Sequence, residues 1–164
     1  MQPDSPPHAR LATPADAAEL VRLRALMFDS MGVRATDQHW QRACLAYLEA
    51  NLGSSHLIGA VVDAPDGDGL AASGLADLMV RTPGPSSADG TLAYVSSMST
   101  DPRWQHRGYA RAVIVRLLDE LEGAGIARAE LHATSAGEHL YRGLGFAERP
   151  GGLEMRLDLG RSRR

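Results

Sequence analysis

Cysteine is nearly absent: Cys44 is the single thiol in 164 residues. No internal disulfide can form, and a reducing, cytoplasmic setting is expected. A basic excess is absent too. Lys and Arg number 17 against 20 Asp and Glu, a formal net charge of −3, which argues against nucleic acid as a partner. No apolar run approaches the roughly 18 residues of a membrane-spanning helix. The opening MQPDSPPHAR has no apolar core of the kind a secretory signal carries. Neither the G-x-G-x-x-G dinucleotide fingerprint nor the G-x-x-x-x-G-K-[ST] phosphate loop occurs. There is no G-x-S-x-G elbow, which removes support for a serine hydrolase. The 6 histidines form no H-E-x-x-H pattern and have no cysteine-rich frame beside them, so no metal site is expected.

What remains is a chain of one-domain length with 23 % charged residues, enough to fold around a real core. The expected domain spans residues 8–159, between a polar, proline-rich tail at 1–7 and a frayed basic end at 160–164. A short strand is expected near residues 8–12. Thr13, Pro14 and Asp16 then open a helix whose apolar line is Leu20, Leu23, Met27 and Met31, with Gly32 as its stop. A second helix, capped at Thr36 or Asp37, carries Trp40, Ala43, Cys44, Tyr47 and Leu48 on one face; on that pattern Cys44 is a core residue. SSHLIGAVVD and LAASGLADLMV read as two strands joined by the turn APDGDG. RTPGPSSADG is a loop, and TLAYVSSMST a strand ended by Pro102. Further on, ARAELHAT reads as a strand, SAGEHLYRGLGF as a short helix closed by Gly143 or Gly145, and GGLEMRLDL as a terminal strand. A helix over 108–122 joins two strands, which implies a parallel pair inside an otherwise antiparallel sheet.

The start of that helix is the informative place. DPRWQHRGYARAVIVRLLDELEGAG, residues 101–125, has no Ser, Thr, Asp or Asn cap beside the turn. The orphan N–H groups at a helix start need partners. Gly108 permits close backbone approach, Arg107 and Arg111 add positive charge, and an uncapped helix N-terminus is an anion site. Water capping would explain the same turn.

Gln105-x-x-Gly108-x-Ala110 resembles the [Q/R]-x-x-G-x-[G/A] signature of the GNAT superfamily of acyl-CoA-dependent N-acyltransferases. MSTDP resembles the end of that family's central strand, and LHATSAGEHLYRGLGF its second motif. The resemblance is specific over residues 92–147 and topological over the rest of 9–159. It implies an α/β (α+β) fold: a mixed, mostly antiparallel sheet splayed in a V, flanked by about four helices. It implies acetyl-CoA as co-substrate and no metal. The pantetheine arm would pair with backbone at Met98, Ser99 and Thr100. The pyrophosphate would rest on the turn formed by Gln105, His106, Arg107, Gly108, Tyr109 and Ala110, with Arg111 beside it.

The same resemblance makes Tyr141 the general acid that protonates the departing CoA sulfur, in a direct attack by a primary amine within a ternary complex. Packing on its short helix is the plainer role for that ring. A strand N–H near Met98 would polarise the thioester carbonyl. Many family members place an acidic base on the strand before the signature, where this chain has Ser96, Ser97, Met98 and Ser99. The base is therefore open, with a water held by Ser96 or Ser97 as one route. Asp101 is expected to cap the loop, and Glu138 and His139 to be solvated. Met27, Phe28 and Met31, with Trp40, are candidates for the acceptor pocket or for plain core. The acceptor is a small-molecule or peptide amine, and homodimers are common in the family. A non-catalytic acyl-CoA-binding or sensing module of the same fold is the alternative.

Overall fold

In the computed structural model, residues 7–85 and 87–149 are described. β1 (Arg10–Leu11) leads through a turn of 3₁₀ helix at Pro14–Asp16 into α1 (Ala17–Ser30). The entry is fixed by Asp16, whose carboxylate accepts the Thr13 N–H at 2.8 Å and the Arg10 guanidinium at 2.8 and 2.9 Å. Asp16 thus closes a capping box as well as suiting the positive helix end. α2 (Gln38–Asn51) begins at Asp37, which accepts the His39 N–H at 2.8 Å.

β2 (Leu57–Asp63), β3 (Leu70–Val80) and β4 (Thr91–Thr100) follow, then a 3₁₀ turn at Pro102–Trp104, α3 (Tyr109–Gly123), β5 (Ala129–Leu131) and α4 (Glu138–Gly143). The sheet order is β1-β2-β3-β4-β5. Pairs are antiparallel except β4 with β5, which is parallel. The five-stranded, mostly antiparallel sheet with four helices is the architecture expected. The chain forms two compact units, Met1–His132 and Ala133–Arg164; the sheet and α1 to α3 belong to the first, α4 to the second. The tail at 1–6, the strand expected at 151–159 and the basic end lie outside the described residues.

Alternation along the strands gives the sheet two faces. Leu57, Val61, Leu70 and Leu75 join Leu20, Leu23, Leu48 and Leu52 in the core under α1 and α2. The other face, under α3, is built from small residues. Ala60, Ala72, Ala76 and Ala93 are fully buried, as are Val113, Ile114 and Leu117 of the helix. At Gly74 a Cβ would come within 2.9 Å of Val113 and 3.2 Å of Leu117, so the helix packs onto the bare backbone there.

Two expected faces fall short of the core. Met31 is 48 % exposed because α1 ends at Ser30. On α2 only Leu48 is fully buried, while Ala43 and Tyr47 are exposed and Trp40 and Cys44 are half-buried. The helix meets the core along one edge through Leu48, Leu45 and Cys44, which leaves its other apolar residues beside a cleft. No helix among the described residues is long and apolar enough to cross a membrane.

Candidate functional site

β4 carries one residue more than its pairing needs. Ala72 faces Thr100 and Ser73 faces Ser99, but Leu75 faces Ser96. Gly74 alone therefore opposes both Ser97 and Met98, which is a β-bulge. Ser97 takes φ +53°, a left-handed conformation that non-glycine residues adopt mainly where function or tight turns demand it. The bulge places two consecutive side chains, Ser96 and Ser97, on the α1/α2 face. Ser96 lines a cleft with residues of both helices, and Ser97 accepts a hydrogen bond from the Arg24 guanidinium of α1. Ser99 donates to the Leu23 carbonyl at 2.9 Å, and Met98 points the other way, towards Gly74 and α3.

On its outer edge β4 pairs with β5 only over Ala93, Tyr94 and Val95. From Ser96 to Thr100 it has no strand neighbour on that side among the described residues. Past the strand, Asp101 is 3 % exposed. It accepts the Arg103 N–H at 3.0 Å and the Arg22 guanidinium at 2.7 Å, so its capping role is as expected. Hydrogen bonds from Arg103 and Arg22 hold its carboxyl well below the usual carboxylate range, against the opposing effect of burial. The loop then runs through His106 at φ +61° and Gly108 at φ +80°. Left-handed residues separated by a single residue curl a backbone in the manner of anion-binding nests.

No side chain caps α3. Its first bonded amide is that of Ala112, to the Gly108 carbonyl at 3.0 Å; the amides from His106 to Arg111 have no acceptor among the described residues. Arg107 stacks on the Trp104 ring at 4.9 Å, and Arg111 is exposed beside the turn. Gln105 and Tyr109 flank the two left-handed residues, and Ala110 keeps the first helical turn narrow. The turn thus offers unsatisfied N–H groups, a helix dipole and two cations.

A cleft of about 390 Å³ opens on the α1/α2 side of β3 and β4. Phe28 and Trp40, which meet edge-to-face with ring centroids 5.5 Å apart, form part of its wall. Arg24 lies over Phe28 at 4.9 Å, and Cys44 and Leu75 add apolar wall. Met27 and Met31 are not among its lining residues. Its acidic group is Asp77 of β3, half-buried and overlooked in the sequence. Burial pushes the Asp77 carboxyl up, against the lowering effects of Arg24 and of the Ser96 hydroxyl. A signal was present: Asp77 is the sole charge in the eleven-residue strand Leu70–Val80.

In the second unit, α4 holds Tyr141, buried at 9 % exposure. It packs edge-on to Phe146 at a centroid distance of 5.9 Å, and burial raises its hydroxyl above the ordinary tyrosine value. Glu138 pairs with Arg142 at 2.7 Å, and His139 is exposed. Among the described residues no group of three or more His, Cys, Asp or Glu is placed to hold a metal ion.

The family model for the acetyltransferase (GNAT) family matches residues 21–146. No curated protein sequence matches the chain. Solved structures with the same fold include a predicted acetyltransferase from Clostridium acetobutylicum, determined with acetyl-CoA. It is 21 % identical, with a TM-score of 0.79 over 91 % of this chain and 95 % of that one. A GCN5-related N-acetyltransferase from Ralstonia eutropha JMP134 is 24 % identical, with a TM-score of 0.74 over 91 % and 97 %. Glucosamine-6-phosphate N-acetyltransferase from Arabidopsis thaliana is 12 % identical, with a TM-score of 0.69 over 92 % and 97 %. At these identities the likeness is one of fold.

Proposed function

Because the chain belongs to the GNAT acetyltransferase family, we propose that it moves an acetyl group from acetyl-CoA to a primary amine, by direct attack in a ternary complex with Tyr141 as general acid. The observation that carries this is the turn before α3. Amides from His106 to Arg111 lack acceptors and are reached through two left-handed residues. A pyrophosphate supplies the acceptors, and a helix N-terminus favours its charge. On this reading the contact residues are Gln105, His106, Arg107, Gly108, Tyr109 and Ala110, mostly through the main chain, with Arg111 and Arg107 adding positive charge.

The edge of β4 past Val95 supports the second half of the reading. An extended pantetheine arm lying along Met98, Ser99 and Thr100 takes the place of a strand. The bulge breaks the regular ladder with β3 there, and on this reading an N–H near Met98 reaches the thioester carbonyl oxygen. Such a donor stabilises the oxyanion as the tetrahedral intermediate forms. Tyr141 is protonated at neutral pH, as a tyrosine with its ordinary value near 10 would be, with burial pushing it further up, and so has a proton for the departing sulfur. Of the acceptor-side candidates Met27, Phe28 and Met31, Phe28 has the support of lining the cleft.

The test is calorimetric titration with acetyl-CoA, then a measurement of CoA release with a panel of amines. Binding followed by amine-dependent release is the expected result. No binding overturns the reading. Binding without release for any amine leaves a sensing module of the same fold.

A further inference from the structure

In the first unit the half-buried charges around the sheet are matched. Arg10 pairs with Asp16 and Asp63, and Arg22 pairs with Glu19 and Asp101. Two groups break this pattern. Arg24 and Asp77 are both half-buried and both face the cleft between α1, α2 and the sheet. Neither forms an ion pair among the described residues, with the other or with any third group. Each instead meets a serine of the bulge: Arg24 donates to Ser97, and Asp77 has the Ser96 hydroxyl beside it. A partly desolvated charge with only neutral partners is less well compensated than one in an ion pair. Two of opposite sign, in one apolar cleft but not joined, are complementary to a ligand that carries both charges.

We propose, on the basis of the acetyl-transfer reading above, that the acceptor is a small apolar amine that also bears a carboxylate, of the α-amino acid type, with Asp77 receiving its ammonium and Arg24 its carboxylate. The planar guanidinium suits a carboxylate, since it offers paired donors in a fixed fork. Phe28, Trp40, Cys44 and Leu75 supply apolar surface for the side chain. A cleft of about 390 Å³ is of the size that takes small molecules.

The same placement assigns the missing base. Asp77 takes one proton from the ammonium, and the freed nitrogen attacks the thioester carbonyl carbon. The C–N bond forms and the C–S bond breaks. The CoA sulfur leaves with the Tyr141 proton, and the nitrogen's second surplus proton restores that hydroxyl through solvent. Burial raises the Asp77 carboxyl, which makes it a stronger base for the ammonium proton than an exposed carboxylate. The groups facing Asp77 are Arg24 from α1, Cys44 and Tyr47 from α2, and Ser96 and the register partner Tyr94 from β4. Burial raises the Cys44 thiol, which keeps it neutral.

The experiment compares three amino acids with their decarboxylated amines as acceptors: phenylalanine with phenethylamine, leucine with isopentylamine, and methionine with 3-(methylthio)propylamine. CoA release is followed at saturating acetyl-CoA. For at least one pair kcat/KM should be about tenfold or more higher with the amino acid. In Arg24→Gln that preference should vanish, chiefly through KM. In Asp77→Asn kcat should fall about 100-fold or more with both members of the pair, and the acidic limb of the kcat/KM profile against pH should disappear, while acetyl-CoA affinity is unchanged. Amines that match or exceed their amino acids overturn the acceptor class, and this arm needs no variant. Turnover with none of the six compounds, by protein that binds acetyl-CoA, overturns it too. A wild-type rate in Asp77→Asn overturns the base. Failure of the wild type to bind acetyl-CoA overturns the acetyl-transfer reading itself.

Discussion

Tyr141 combines a buried ring with a hydroxyl whose proton burial holds in place. Tyr141→Phe removes the donor and almost no volume, so the edge-on packing on Phe146 should persist and the melting temperature should move little. If the hydroxyl protonates the thiolate, kcat should fall by about 10²–10⁴-fold, with KM for acetyl-CoA nearly constant. The loss should shrink with a thioester of a more acidic thiol, since a better leaving group needs the proton less. Equal rates for the two enzymes would reduce the ring to packing. Tyr141 stands out in the sequence because HLYRGLGF is a local stretch that resembles a family motif. Asp77 does not, because its meaning depends on Arg24, 53 positions away along the chain, and on the parity of two paired strands. Pairings of that kind exist only once the sheet is assembled.

The elements themselves are written locally, and most are readable. Gly69 and Pro102 bound strands, Asp37 opens α2, and 3.6-residue spacing marks α3. Where the pattern misleads is α2. Periodicity reports an apolar face without telling a core from a cleft: Cys44, read as core, packs against the core and also lines the cleft with Tyr47 and with Trp40, which the sequence leaves open between pocket and core. The start of α3 gives a prediction at this scale. A Cβ at Gly108 has room, its nearest neighbour being Pro7 at 3.7 Å. The obstacle is φ +80°, which costs a β-branched residue about 1–2 kcal/mol. Gly108→Val should therefore relax the turn away from the left-handed region and displace the amides. Acetyl-CoA should bind at least about tenfold more weakly in a protein whose circular dichroism is unchanged. Undiminished affinity in the calorimeter would move the phosphates elsewhere.

For the molecule as a whole the informative quantity is stability against pH. Asp101 binds Arg22 and Arg103, Arg22 also binds Glu19 and the Leu70 carbonyl, and Arg103 reaches Asp66 and Asp68 at 3.5 and 3.8 Å. The network ties α1, the β2–β3 turn and the end of β4 together. The carboxyls of Asp16, Glu19, Asp63 and Asp101 are all depressed, each first by its hydrogen bonds to arginine. A depressed carboxyl contributes fully above its unfolded value near 4 and loses that contribution as pH falls through the folded one. Stability in urea should thus be flat from about pH 5 to 7 and should decline steeply below about pH 4. Asp101→Asn should lower the plateau by about 1–3 kcal/mol and flatten the acid limb; an unchanged limb would show that the network contributes nothing. Asp77 has the opposite sign. Its raised carboxyl penalises the folded state once ionised, so Asp77→Asn should be no less stable at pH 7.

Ser97 is a surplus letter in β4. Its excision would bring Met98 opposite Gly74 and leave every other side chain of Thr91–Thr100 on the face it already occupies, because the strand on either side is in register with β3. The shortened chain would spell a regular strand, free of the φ of +53°. It should fold with the same core and melt no lower than the parent. It should also bind acetyl-CoA more weakly and transfer little, because the backbone it straightens is the backbone where the ladder breaks. A deletion that unfolds the protein would make Ser97 part of the scaffold; one that folds and still turns over would make the bulge ornamental. The expected outcome, sturdier and idle, would mean that this strand is longer by one residue for the sake of its chemistry and at the expense of its fit.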